Sequence, residues 1–166
     1  MIINLHALFF PLLILISYVP SLRVENFKGT PPAGAFQSAY TECDYGFIFD
    51  NGRIRIPIKV YCIFKQDKSW IQPIVIKAAD PSVLKNLLIH EEGHYKNSLI
   101  AAKKLQTAMF QVNYNNPSIG APRVQQIKHQ IDQEAIGQNK KYESETRNGR
   151  DRNAQNEWNI LFSSTS

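Results

Sequence analysis

Asp80-Pro81 and the residues that follow constrain this chain more than any other feature. Asp is a favoured helix N-cap and Pro suits the first helical position. Behind them Leu84, Leu87, Leu88, Glu91, His94, Tyr95, Ser98, Ala101, Ala102, Leu105 and Met109 keep a 3.6-residue period. That spacing predicts one helix of about 30 residues, roughly 45 Å long. So long an element cannot bury its stripe alone. A partner of similar length is expected in the same chain. A second 3.6-period stripe, Val124, Ile127, Ile131, Ala135, Tyr142 and Glu145, supplies it from near Pro122 to Asn148-Gly149. The Gly suits the left-handed position after a helix end. Residues 113–121 read as the loop between, and Ala154, Trp158 and Leu161 mark a short closing amphipathic piece.

Upstream the period is two. Tyr45, Phe47 and Phe49 share one face of a strand over 39–49. In 53–65, Ile54, Ile56, Ile58, Val60, Cys62 and Phe64 alternate with the other set, and Pro57 points to an edge strand. A third strand is expected over 70–77, interrupted by Pro73. The fold class is therefore α+β: a small antiparallel sheet of about three strands packed on two long helices. With 166 residues, 43% hydrophobic and 20% charged, the chain suits one globular domain and not a disordered one.

Met1–Leu22 has no Asp, Glu, Lys or Arg, and Ala7–Ile16 is an apolar run too short to span a bilayer. It reads as the core of a signal peptide, with Val19-Pro20-Ser21 as a cleavage site. The n-region carries no Lys or Arg, and retention as an N-terminal anchor is the alternative. The expected division is a signal peptide over 1–21 and one domain over 22–166, in a secreted or envelope protein. Export also permits a disulfide. A three-residue hairpin loop at Asn51–Arg53 places Cys43 opposite Tyr61, and one bulge brings it opposite Cys62. The alternative is two small buried hydrophobes.

His90-Glu91-Glu92-Gly93-His94 is His-Glu-x-x-His. Residues i and i+4 lie on one helical face, so both imidazoles can meet one ion. Glu91, one step around the helix, can act as a general base toward a zinc-bound water. The alternative is a solvated face, against which Leu88 and Tyr95 argue. A catalytic zinc takes three protein ligands. Candidates for the third are His129, Asp132, Glu134, Glu143, Glu145 and Asp151. Glu145 shares the apolar stripe with Tyr142, where an acid needs a partner, while Glu143 points away from it and His129 reads as a surface residue. Glu145 is thus a candidate third ligand, and pairing with Arg147 or Arg150 in solvent is the alternative.

These motifs, in this order, resemble a bacterial family of secreted zinc-dependent proteases, zincin-like and long classed as a domain of unknown function. Phe27-Lys28-Gly29 with Pro31-Pro32, Ala39-Tyr40-Thr41, Ser69-Trp70, the His90–His94 motif with Tyr95, Tyr142-Glu143-Ser144-Glu145-Thr146-Arg147-Asn148-Gly149, Gln155 and Trp158 carry the resemblance. In the family the second motif is similar to Tyr-Asp-x-Glu-Thr-x-His-Gly, and its His is the natural third ligand. Asn148 stands there in this chain, and neutral amides are poor zinc ligands. Three states follow: Glu145 as replacement ligand, Asn148 binding weakly, or a relic site with two His. The resemblance also makes Tyr142 a transition-state donor, with a core role as the alternative.

The expected function is an exported zinc metallopeptidase acting on peptides or proteins, with Zn2+ held by His90 and His94. Residues 53–65 would pair with substrate as an edge strand. A catalytically inactive binding or scaffold protein is the alternative that Asn148 raises. The net charge of +5 and the basic stretch Arg123–Arg152 raise nucleic-acid or membrane-surface binding. That stretch includes Asp132, Glu134, Glu143 and Glu145 and lacks interleaved aromatics, so a solvated helix face explains it better.

Overall fold

The computed structural model describes residues 15–16, 21–48, 59–112, 114 and 117–165. The architecture is α+β, a small sheet system on long helices. Strand β1 (Leu15–Ile16) precedes a single 3-10 turn at Val24–Asn26. Strands β2 (Ala39–Tyr40), β3 (Cys43–Ile48), β4 (Lys59–Phe64) and β5 (Trp70–Ile71) follow. Then come α1 (Pro73–Ala78), α2 (Pro81–Phe110), α3 (Pro117–Thr146) and α4 (Arg152–Thr165). Among the described residues no helix is long and apolar enough to cross a membrane.

Helix α2 begins where the sequence places it. Asp80 accepts a 2.7 Å bond from the Ser82 N–H, and Pro81 takes the first helical position. It is buried on two sides, by β3 and β4 on one and by α3 and α4 on the other. This explains why its buried residues include small ones such as Gly93, Ser98, Ala101 and Ala102, which let neighbours approach. In β4, Val60, Cys62 and Phe64 are buried and join Tyr95, Leu105 and Met109 of α2 and Val124 and Ile127 of α3 in the main core. A second cluster, Tyr142, Trp158 and Phe162, seats α4.

Several sequence expectations are corrected. The strand expected over 39–49 changes partner at Thr41–Glu42. Its first part, β2, pairs antiparallel with β5, while β3 pairs antiparallel with β4. Strand β4 is central and not an edge, since β1 lies parallel on its other side. Pro57, the residue behind that expectation, lies outside the described residues, as does the Asn51–Arg53 turn. The third strand stops at Ile71 because Pro73 opens α1, where its missing N–H does no harm. Helix α3 starts at Pro117, not Pro122, and Pro122 is accommodated inside it. The segment expected to be a signal peptide lies outside the described residues apart from 15–16 and 21.

The β3–β4 register sets Cys43 opposite Phe64 and Tyr45 opposite Cys62. The cysteines are diagonal neighbours, not a facing pair, and both are free thiols. The expected Cys43–Cys62 bridge is absent. Burial pushes the Cys62 thiol up to about 12, and Cys43 is raised too, chiefly by burial. Both are protonated at neutral pH.

The leading segment docks where residues 65–69 turn. Lys28 N–H donates to the Gln66 carbonyl and Gly29 N–H to the Ser69 carbonyl, both at 2.8 Å. A Cβ on Gly29 would sit 2.9 Å from backbone atoms of Lys68 and Ser69, so only glycine fits. Fully buried Ser69 accepts from the Glu42 N–H and donates to the Lys65 carbonyl. This anchors the turn between β2 and β3 against the start of β5.

Candidate metal centre

His90 and His94 leave α2 one turn apart, their ring centroids 5.0 Å from each other. Each is fixed through Nδ1. His90 Nδ1 lies 3.2 Å from Gln155 Oε1 of α4, and His94 Nδ1 lies 3.3 Å from Asn139 Oδ1 of α3. An amide oxygen accepts only, so each Nδ1 carries a hydrogen, and Nε2 is the ring atom left to meet a partner from α3. Asn139 is itself held by Asn97 Nδ2–H at 3.0 Å. Amides thus do here what carboxylates or carbonyls often do around metal-binding histidines.

Both Nε2 atoms face the Glu143 carboxylate of α3, at 3.4 Å from His90 and 2.9 Å from His94. Ligand atoms of His90, His94 and Glu143 all lie within 4.8 Å of one another. Glu143 Oε2 is buried without a hydrogen-bond partner, as is Glu91 Oε2. Two imidazole nitrogens and one carboxylate, with spare buried oxygens beside them, are donors of the kind that suit a divalent cation. This group could hold a metal ion. Burial works against the Glu143 charge, but the imidazoles outweigh it and hold the carboxyl at about 2. Burial also disfavours charge on His94, yet its bond to Glu143 and the charges of Glu91 and Glu143 raise it above the usual histidine value.

Glu91 is 4% exposed and lies beside the group without joining it. Its burial raises the carboxyl above the usual range, further than the nearby histidines pull it down. It lines a cleft with two arms. One arm, about 730 Å3, runs past Thr41, Cys43, His94 and Arg147; the other, about 390 Å3, past Phe36, Leu87, His90 and Arg150. Glu91, Glu143 and Asn148 line both arms, so the cleft passes directly over the three-residue group.

The remaining sequence candidates are placed elsewhere. Glu145 does not reach the group: it accepts a 2.9 Å bond from Trp158 Nε1 and lies 3.8 Å from Lys141. The acid that the fold brings to the two histidines is Glu143, which sequence analysis turned away from the site. Near its end α3 packs against both α2 and α4, so Tyr142 and Thr146 fill the seam. Asn139 and Glu143, spaced i and i+4, form the margin facing α2, and Glu145 the margin facing Trp158. Asn148 is exposed at the cleft, outside the group, in left-handed backbone with φ 54°. Asp132 accepts bonds from Tyr45 and Lys128, Glu134 pairs with Lys104, and Asp151 caps α4 through the Asn153 and Ala154 N–H groups. His129 is exposed, as expected.

Tyr142 is completely buried and does not line the cleft, so a donor role toward substrate is not its place. Its ring stacks on His90 at 4.8 Å, and its hydroxyl donates to the His90 carbonyl at 2.9 Å and bonds Gln155. Gly93 makes room for it: a Cβ there would come 2.1 Å from the Tyr142 hydroxyl oxygen. Gly149, with φ 76°, lies similarly close under the His90 ring, where a Cβ would be 2.8 Å from Cγ. Sequence reasoning missed Asn139 and the orienting role of Gln155. Polar character on an otherwise packed helix face is the signal for Asn139, and Gln155 stands among the residues of the resemblance without a role attached. Glu143 had a clearer signal, an acid directly after Tyr142 and one turn from Asn139.

Comparison with protein-family models, with curated proteins and with solved structures finds no match for this chain.

Proposed function

We propose that this chain is a zinc metallopeptidase of the His-Glu-x-x-His kind, with His90, His94 and Glu143 as its metal ligands. The carrying observation is the convergence of two Nε2 atoms and one carboxylate beneath a cleft, with a separate buried carboxylate, Glu91, beside them. Zinc, when bound, supplies a Lewis acid and lowers the pKa of its water toward about 7. The chain's own residues do the rest. Gln155 and Asn139 hold both Nδ1 hydrogens and so aim the Nε2 lone pairs. Glu91, its proton affinity raised by burial, accepts the proton of the attacking water and delivers it to the leaving amine nitrogen. The cleft is of a size that suits a peptide segment. The apolar run at 7–16 supports export, and the residue order shared with secreted zinc proteases supports the reaction class.

Metal content and peptide hydrolysis test this reading on three variants. Glu143→Gln is expected to lose the metal and hydrolysis together. Glu91→Gln retains the metal and loses hydrolysis by a factor of about 100 or more. Glu145→Gln retains both. Hydrolysis by Glu91→Gln at the parent's rate sinks the mechanism. A parent that holds one zinc per chain but cleaves no peptide leaves a metal-binding module, the role Asn148 first suggested.

A further inference from the structure

One wall of the cleft is basic. Lys140 and Arg147 line the larger arm and Arg150 the smaller. All three are exposed, and among the described residues none forms an ion pair. Beyond the cleft the same surface continues through Arg147, Arg150 and Arg152 around a further hollow of about 530 Å3. The acid there, Asp151, is committed to the N–H groups at the start of α4. The facing wall offers Glu42, whose carboxylate already accepts the Tyr40 hydroxyl. A divalent cation on the three-residue group would offset the charges of Glu91 and Glu143. The cations of the α3–α4 wall would then stand in excess, with no counter-charge from the protein.

We propose that this wall, Lys140, Arg147 and Arg150, selects acidic peptides, seating Asp or Glu side chains on the side of the scissile bond nearest the α3–α4 turn. The proposal rests on the metallopeptidase reading and names its substrate class. Exposed ion pairs are individually weak and salt-screened, so selection comes from several contacts acting together at low ionic strength. Arg carries the role well, because its fork meets a carboxylate through two parallel N–H groups.

The test uses the full chain carrying Glu91→Gln and loaded with zinc, so that binding is read without turnover. Fluorescent peptides of equal length, acidic, neutral or basic, are titrated by anisotropy. The acidic peptides are expected to bind about tenfold more tightly than the neutral ones at low salt, with the advantage shrinking at high salt. Arg147→Glu with Arg150→Glu should abolish or reverse that order while leaving thermal melting and metal content unchanged. Equal binding of all three peptide sets overturns the proposal, as does an acidic preference that survives the double substitution. Single-stranded DNA binding as tightly as the acidic peptides would make this an unselective polyanion surface and also overturns it. Cleavage of all three sets by the parent without preference removes the basic wall and keeps the metallopeptidase. Acidic preference in binding with no cleavage by the parent removes the metallopeptidase and keeps the wall.

Discussion

Gly93 is a single hydrogen where any other residue would place a carbon inside Tyr142. Helix propensity alone favours alanine there by about 1 kcal/mol. Sterics decide otherwise, because a Cβ would lie 2.1 Å from the hydroxyl oxygen and 2.4 Å from Cζ. Gly93→Ala is therefore expected to destabilise the protein by about 1–3 kcal/mol in urea unfolding, net of the propensity gain. It should also weaken metal binding, since the Tyr142 ring stacks on His90. Tyr142→Phe does not rescue it, because the ring carbon clashes as well as the oxygen. A double variant as stable as the parent would show that the hydroxyl alone, and not the ring, clashes with the added carbon. The motif itself was legible at this scale: His90, Glu91 and His94 need only helical spacing. The purpose of Gly93 was legible only in outline, as room for something to come close. The occupant comes from another helix, and no local pattern names it.

At the scale of elements, α4 exists for His90 as much as for the core. Trp158 and Phe162 seat it on Tyr142, and that seating presents Gln155 to His90 Nδ1. Gln155→Ala should leave the helix in place and lower zinc affinity by about 10- to 100-fold, measured by chelator competition. Unchanged affinity would mean that stacking on Tyr142 alone aims the ring. The long helices were legible because burial repeats along them with a fixed period. The third acid was misread because α3 touches α2 and α4 at once near its end. Its buried direction turns from the Ile131 stripe toward Thr146, and this carries Glu143 into the site while Glu145 meets Trp158. The sheets were half legible. Alternation marks β3 and β4, but the change of partner at Thr41–Glu42 depends on Ser69 and Gly29, which lie on separate segments of the chain.

For the molecule as a whole, the His90–His94–Glu143 group adds to the apolar packing and to the Asn97–Asn139, Lys104–Glu134 and Tyr142–His90 bonds that join α2 to α3. A metal bound only in the folded state adds stability that grows with its concentration, about 2.7 kcal/mol at a hundredfold excess over Kd. Removing zinc with a chelator should lower the melting temperature of the parent by several degrees. The same treatment should leave Glu143→Gln unmoved. A parent that melts identically with and without zinc would show that the group does not bind it. The α+β class was readable from the change of period at Asp80, because each period demands its own kind of layer. The cleft was not, since its walls come from β2, α2 and the α3–α4 turn, which are brought together only by the finished fold.

Every residue that fixes the two histidines lies later in the chain than they do: Asn139, Glu143, Gly149 and Gln155. A ribosome therefore releases His90 and His94 as an incomplete pair, and Glu143 and both orienting amides follow afterwards. An ion that needs this whole arrangement can bind only after residue 155 has emerged, so the cations present at that point decide what the group can take up.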